Sequence, residues 1–161
     1  MMPHFKKHLA VAAIAAGAAF TGINAQADVT TLTFEIINKT SSPLTLSRSS
    51  WDQSLAEPGY FDLDPESEHS FEANYKTNFG YPRKTPAILQ EIISYSNGSQ
   101  ECTFRTTLRV TQSFGVFSPT LTSTRSASAT STGKEDVKCE ARVTENTQTA
   151  PLNYTVRYTM G

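Results

Sequence analysis

Histidine, tryptophan and cysteine are all scarce in this chain of 161 residues, numbering three, one and two. Two of the histidines, His4 and His8, fall in the first ten residues, so His69 is the one imidazole in the rest of the chain. A triad hydrolase needs a base beside its nucleophile. With no Gly-x-Ser-x-Gly and His69 set in an acidic stretch, hydrolysis is not expected, and His69 reads as a solvated turn residue. Zinc needs three or four His, Cys or carboxylate ligands, a demand that one histidine and two otherwise engaged cysteines do not meet. No metal or other cofactor is expected.

Long apolar runs are also missing after the first 27 residues. Those residues carry Lys6 and Lys7, an apolar stretch from Leu9 to Phe20, and Ala25-Gln26-Ala27. A basic head, an apolar middle and small residues at alternate positions make a secretory signal peptide, with cleavage expected after Ala27. The apolar stretch falls short of the roughly 20 residues a bilayer crossing takes, and no cysteine follows the small residues to accept a lipid. A secreted or periplasmic protein without a transmembrane anchor is expected.

Basic excess is the third absence. The leader holds two of the 14 basic residues and none of the 15 acidic ones, leaving 12 against 15, a net of −3. Nucleic acid or strongly anionic lipid would call for clustered Lys and Arg, so composition points to no nucleic-acid partner. The 134 residues after Ala27 match one ordinary domain. Cys102 and Cys139 both belong to this exported part, where thiols are oxidised, and neither sits in a Cys-x-x-Cys or beside a histidine. They are expected to pair, closing a loop whose restraint contributes roughly 3–4 kcal/mol. Two free thiols with a reactive role are the alternative.

Short alternating segments set off by turn residues run from Thr31 to the C-terminus, and no stretch holds a helical apolar period. The fold class expected is all-β, a single-domain antiparallel sandwich over residues 28–161 with one disulfide. Leu32, Phe34 and Ile36 point one way in the first strand, which breaks at Asn38 to Pro43. Leu44-Thr45-Leu46 leads to Trp51; Pro58-Gly59 and Asp64-Pro65 mark turns; Phe71 to Tyr75 alternates again. Asn97-Gly98 suits a two-residue hairpin turn, which joins Ile88–Tyr95 to Gln100–Val110 and sets Ile93 opposite Cys102, Glu91 opposite Phe104 and Leu89 opposite Thr106. Cys102, Phe104, Leu108 and Val110 then share the apolar side. Val137 to Val143 and Tyr154 to Met160 supply later strands, the last of them expected inside a sheet. Ser118 to Thr132, ten of whose fifteen residues are Ser or Thr, reads as a long exposed loop, with a polar edge strand as the alternative.

Asp62, Asp64, Glu66 and Glu68 would offer calcium several carboxylates but lack the central glycine of the usual calcium loop, and a solvated acidic turn is preferred. Glu57, Asp62 and Glu91 are abstract candidates for a glycosidase pair, of a kind expected on any soluble surface. The sequons at Asn38, Asn97 and Asn153 would matter only in a eukaryotic secretory route, and the alanine-rich leader looks bacterial. Aromatics at turns say more. Trp51, Tyr60, Phe61, Phe79 and Tyr81 lie in or beside turns, where flat rings suit a lipid interface or stacking on a sugar. They would equally roof the ends of a sandwich core.

Phe34-Glu35-Ile36-Ile37-Asn38-Lys39-Thr40, then Leu44-Thr45-Leu46, then Trp51, then Leu63-Asp64-Pro65 leading to Phe71, resembles the opening of the aegerolysins over residues 31–75. The resemblance implies a compact β-sandwich that recognises membrane lipid and, in some members, joins a larger partner in pore formation, with Trp51 as a lipid contact. Together these readings predict an exported, non-enzymatic binding protein that takes membrane lipid or a surface glycan through Trp51, Tyr60, Phe79 and Tyr81. The rival reading is a protein-interaction module, an inhibitor, immunity protein or surface-fibre subunit, working through an edge strand or the Ser/Thr-rich segment. A small secreted hydrolase is the third.

Overall fold

A computed structural model describes residues 29–51, 56–76, 86–114 and 119–161. Eight strands form two four-stranded sheets that face each other as a sandwich, and there is no helix among the described residues. The first sheet has the order β3 (Glu68–Lys76), β1 (Val29–Asn38), β8 (Tyr154–Met160), β7 (Cys139–Asn146). The second runs β2 (Thr45–Ser49), β4 (Ala87–Ser96), β5 (Glu101–Phe114), β6 (Pro119–Ser131). All pairings are antiparallel except β1 with β8.

Alternation in the sequence becomes alternation of faces. Leu32, Phe34 and Ile36 of β1 are buried between the sheets, while Thr33 and Glu35 stand on the other side of the same strand. From β8, Val156, Tyr158 and Met160 enter the core, and from β5 come Cys102, Phe104, Leu108 and Val110. Phe104 and Tyr158 stack across the gap with ring centroids 4.6 Å apart and planes 10° from parallel. Such contacts bind one sheet to the other, since each inward face alone would leave apolar surface in water. The terminal strand lies between β1 and β7, inside its sheet as expected.

Cys102 and Cys139 form the expected disulfide, which ties β5 to β7 and so joins the two sheets covalently. Just before β7, Gly133 lets the chain press against the β4–β5 turn. A Cβ there would sit 2.4 Å from the Glu101 amide nitrogen and 2.6 Å from the Ser99 carbonyl oxygen.

Three expectations need correction. The β4–β5 hairpin pairs Tyr95 with Cys102, Ile93 with Phe104, Glu91 with Thr106 and Leu89 with Leu108, two positions away from the expected register. The last ladder pair is Ser96 with Glu101, which leaves Asn97 to Gln100 as a four-residue loop; within it the Asn97 amide donates to the Gln100 carbonyl at 3.1 Å and the Asn97 side-chain oxygen, in place of its carbonyl, accepts from the Gln100 amide at 3.0 Å. A shift of two preserves the faces, so the expected core residues stay in the core. The Ser/Thr-rich segment is not the loop preferred for it but the alternative, an edge strand: Pro119 to Ser131 form β6, paired along its length with β5. Backbone bonds to β5 order it without a large apolar face. His69 belongs to β3 opposite Ile36, not to a solvated turn.

Candidate functional site

Asn38 closes β1 and sets the chain that follows. Its buried side chain donates to the carbonyls of Ser42 and Asp64, both at 2.8 Å, and accepts from the Thr40 amide and hydroxyl at 2.9 and 2.8 Å. The sequon asparagine is thus committed to the fold, and it draws residues 40–42 and 64 together. Leu44 and Leu63 then bond each other's backbone in both directions at 2.9 Å. Gly59, at φ 79°, takes the left-handed conformation that its turn requires, and the Asp62 amide donates to the Gly59 carbonyl at 3.0 Å. The Asp62 carboxylate accepts from the Leu46 amide at 3.3 Å. These bonds lay residues 56–67 along the side of the sandwich where β2 and β3 form the outer edges.

An aromatic cluster fills that side. Ser49 and Ser50 fix the approach of Trp51: the Ser49 hydroxyl donates to the Trp51 carbonyl at 2.8 Å, and the Ser50 amide to the Ile92 carbonyl at 2.9 Å. The half-buried indole lies 5.3 Å from Phe34, 5.7 Å from Phe71 and 6.1 Å edge-on from Phe61. Phe61 meets Phe71 at 4.8 Å. Outside this packed group stands Tyr60, 52% exposed, with its ring perpendicular to Phe61 at 4.9 Å and to His69 at 5.5 Å. Edge-to-face contacts of this kind fix a ring's orientation, so the free face of Tyr60 is presented to solvent rather than swinging in it.

The expected binding residues therefore divide. Trp51 and Tyr60 belong to one cluster, joined through Phe61, with Trp51 as its base and Tyr60 as its exposed ring. Phe79 and Tyr81 lie outside the described residues. The abstract carboxylate candidates are not brought together as an acid–base pair: Glu91 is buried, pointing between the sheets and accepting a hydrogen bond from the Ser50 hydroxyl, while Asp62 is engaged with the Leu46 backbone. No group of three or more His, Cys, Asp or Glu side chains suited to a metal occurs among the described residues, and no helix there is long and apolar enough to cross a membrane.

Two features escaped the sequence reading. Burial around Glu91 includes the tyrosines of the opposite sheet, whose hydroxyls are held neutral: Tyr75 is pushed above the usual phenol range by burial and by Glu91, and Tyr158 by burial foremost. The outer faces of the two sheets also differ in charge. On the first, Arg157 pairs with Glu35 at 2.7 Å and Lys138 with Glu140 at 2.6 Å, and a shallow depression of about 590 Å³ is lined by Ile37, Lys39, Glu140, Arg142, Arg157 and Thr159. On the second stand Arg48, Arg105 and Arg109, all exposed. Alternation around β5 marks the last two as outward; nothing in the linear sequence places Arg48 with them.

No protein-family model matches the chain, and no curated protein is similar to it in sequence.

Proposed function

We propose that this protein is an exported, non-enzymatic binding module whose aromatic edge grips a cell-surface glycan. The observation that carries the reading is Tyr60: a half-exposed ring, oriented by two perpendicular neighbours and seated on a packed aromatic base. A sugar's C–H face stacks on such a ring while its hydroxyls need polar partners at the rim. His69, in ring contact with Tyr60, is the polar side chain beside it. Membrane insertion would want several protruding apolar rings, whereas Trp51, Phe61 and Phe71 spend their faces on one another. The disulfide supports export, because such bonds persist in oxidising compartments. The aegerolysin resemblance makes membrane lipid the ligand to test alongside.

The test is a glycan array run in parallel with sedimentation against neutral, anionic and sphingolipid vesicles. Wild type should bind a glycan, and Tyr60→Ala should lose most of that binding while Tyr60→Phe keeps it. Vesicle binding without any glycan signal moves the ligand to lipid; silence of folded protein in both arms removes the proposal.

A further inference from the structure

The outer face of the β2-β4-β5-β6 sheet concentrates positive charge that the chain as a whole lacks. Arg105 and Arg109 stand four positions apart on β5 and therefore about 13 Å from each other along the strand. Arg48 of β2 lies opposite Ser94 of β4, and Ser94 faces Thr103 of β5. Arg48 is thus two strands over from Arg105 and one pleat repeat along, about 12 Å away by strand spacing and rise. All three are exposed, and none forms an ion pair among the described residues. These four strands contain two carboxylates. Glu91 points inward and is buried; Glu101, at the hairpin end, accepts hydrogen bonds from the Ser47 and Thr132 hydroxyls at 3.1 and 2.9 Å.

On β5 and β6 hydroxyls occupy the rest of this face, while β4 adds Ile88, Gln90 and Ile92. Arg105 is opposite Ser128, Thr107 opposite Ser126, Arg109 opposite Thr124 and Thr111 opposite Thr122. Ile88, 63% exposed, stands beside Arg109. Among the described residues the face has no aromatic ring at its outward strand positions.

We infer that this face is a second binding surface, distinct from the Tyr60 edge, and that its occupant is an extended anionic polysaccharide. Charge complementarity is the ground. Guanidinium forks bind carboxylates in two-pronged pairs, and three of them at roughly equal spacing match a polymer carrying repeated charges better than a single small anion. Ser and Thr hydroxyls, donors and acceptors at once, suit sugar hydroxyls running across β5 and β6. A nucleic acid would call for stacking rings beside the arginines, and a membrane for protruding rings to insert; neither is found on this face among the described residues.

The full mature protein is tested by affinity electrophoresis and calorimetry against polygalacturonate and alginate, with pullulan as the uncharged polymer and phosphatidylglycerol vesicles as the anionic membrane. Binding to a uronate polymer and not to pullulan is expected, weakening steeply as salt shortens the reach of the charges. Arg105→Ser/Arg109→Ser should lower the affinity at least tenfold. Arg142→Ser, which removes a positive charge from the other sheet, should leave it within twofold, with circular dichroism confirming that each variant is folded. Failure of folded wild type to bind either uronate polymer overturns the inference. So does an equal loss with Arg142→Ser, or binding confined to the vesicles.

Discussion

The guanidinium of Arg125, on β6 of one sheet, lies 5.6 Å from the ring centroid of Tyr154, on β8 of the other. Arg125 is the charged residue of β6, and it sits at an inward position of that strand, where its neighbours Ala127 and Ala129 pack against the core. One of its amino groups donates to the Leu152 carbonyl at 3.2 Å and also to that of Thr147; the other donates to the Ser123 hydroxyl at 3.0 Å. The side chain therefore clamps the β7–β8 connection onto β6.

Loss of that clamp should be felt as stability rather than as local disorder alone. Arg125→Ala removes a cation–ring contact and leaves two carbonyls without their donor, a cost of about 2 kcal/mol. Urea unfolding should show the midpoint fall with the slope unchanged. Arg125→Lys should recover only part of the loss, because a single ammonium cannot reach both carbonyls while lying over the ring.

The disulfide makes a second cross-sheet restraint of a different kind. Cys102 and Cys139 are 37 residues apart, so in the chain-entropy model the double variant Cys102→Ala/Cys139→Ala loses about 4 kcal/mol. Cys102 is fully buried, which hides half of the bond from a reductant. Thiol labelling should find no free cysteine in native protein held in dithiothreitol, and two when urea is added. Rapid labelling without urea would mean that the β5–β7 side opens on its own.

How much of this was legible in the sequence depends on how much apolar surface each strand buries. β1, β5 and β8 announce themselves, because one face of each is core and period two shows through. β6 hides: at an edge its inward positions need little more than Leu121, Ala127 and Ala129, so Ser and Thr dominate and the segment resembles a loop. The β4–β5 register depended on whether Asn97 caps a two- or a four-residue turn, which Asn-Gly alone does not decide. At the candidate site, nearness to turns was enough to single out Trp51 and Tyr60. Their unequal exposure was not legible, since it comes from Phe34 and Phe71, which belong to strands separated from Trp51 by the turns. The grouping of Arg48 with Arg105 and Arg109 likewise exists only after β2, β4 and β5 pair.

Gly133 offers a local test of the corrected hairpin. The Lys134 amide donates to the Ser99 carbonyl and the Thr132 amide to the Glu101 carbonyl, both at 2.8 Å, so the backbone on either side of Gly133 is bonded to the β4–β5 turn. Because the obstructing atoms are backbone, they cannot rotate away from an added methyl. Gly133→Ala should cost about 2 kcal/mol through overpacking, visible in a thermal melt, whereas Gly98→Ala, which meets nothing within 4 Å, should act only through the strain of its φ of 100°.

Alkaline pH should destabilise the fold through its buried tyrosines. Tyr75, Tyr95, Tyr154 and Tyr158 all ionise above the ordinary phenol range in the folded protein, with burial the leading cause for each; at Tyr154 and Tyr158 the Thr106 hydroxyl works against the shift. A raised folded-state pKa means that the unfolded chain releases the proton first. Their contribution is therefore fully present below about pH 10, where unfolded tyrosine is neutral, and is lost as pH rises beyond it. The slope is about 1.4 kcal/mol per pH unit for each tyrosine that stays protonated in the fold. Urea unfolding should be level in its tyrosine-linked part between pH 8 and about pH 9.5 and fall steeply above pH 10. Tyr158→Phe should make that fall shallower by roughly one such increment. Phenolate absorbance appearing near pH 10 in all six tyrosines of the native protein would mean that these hydroxyls are in contact with water.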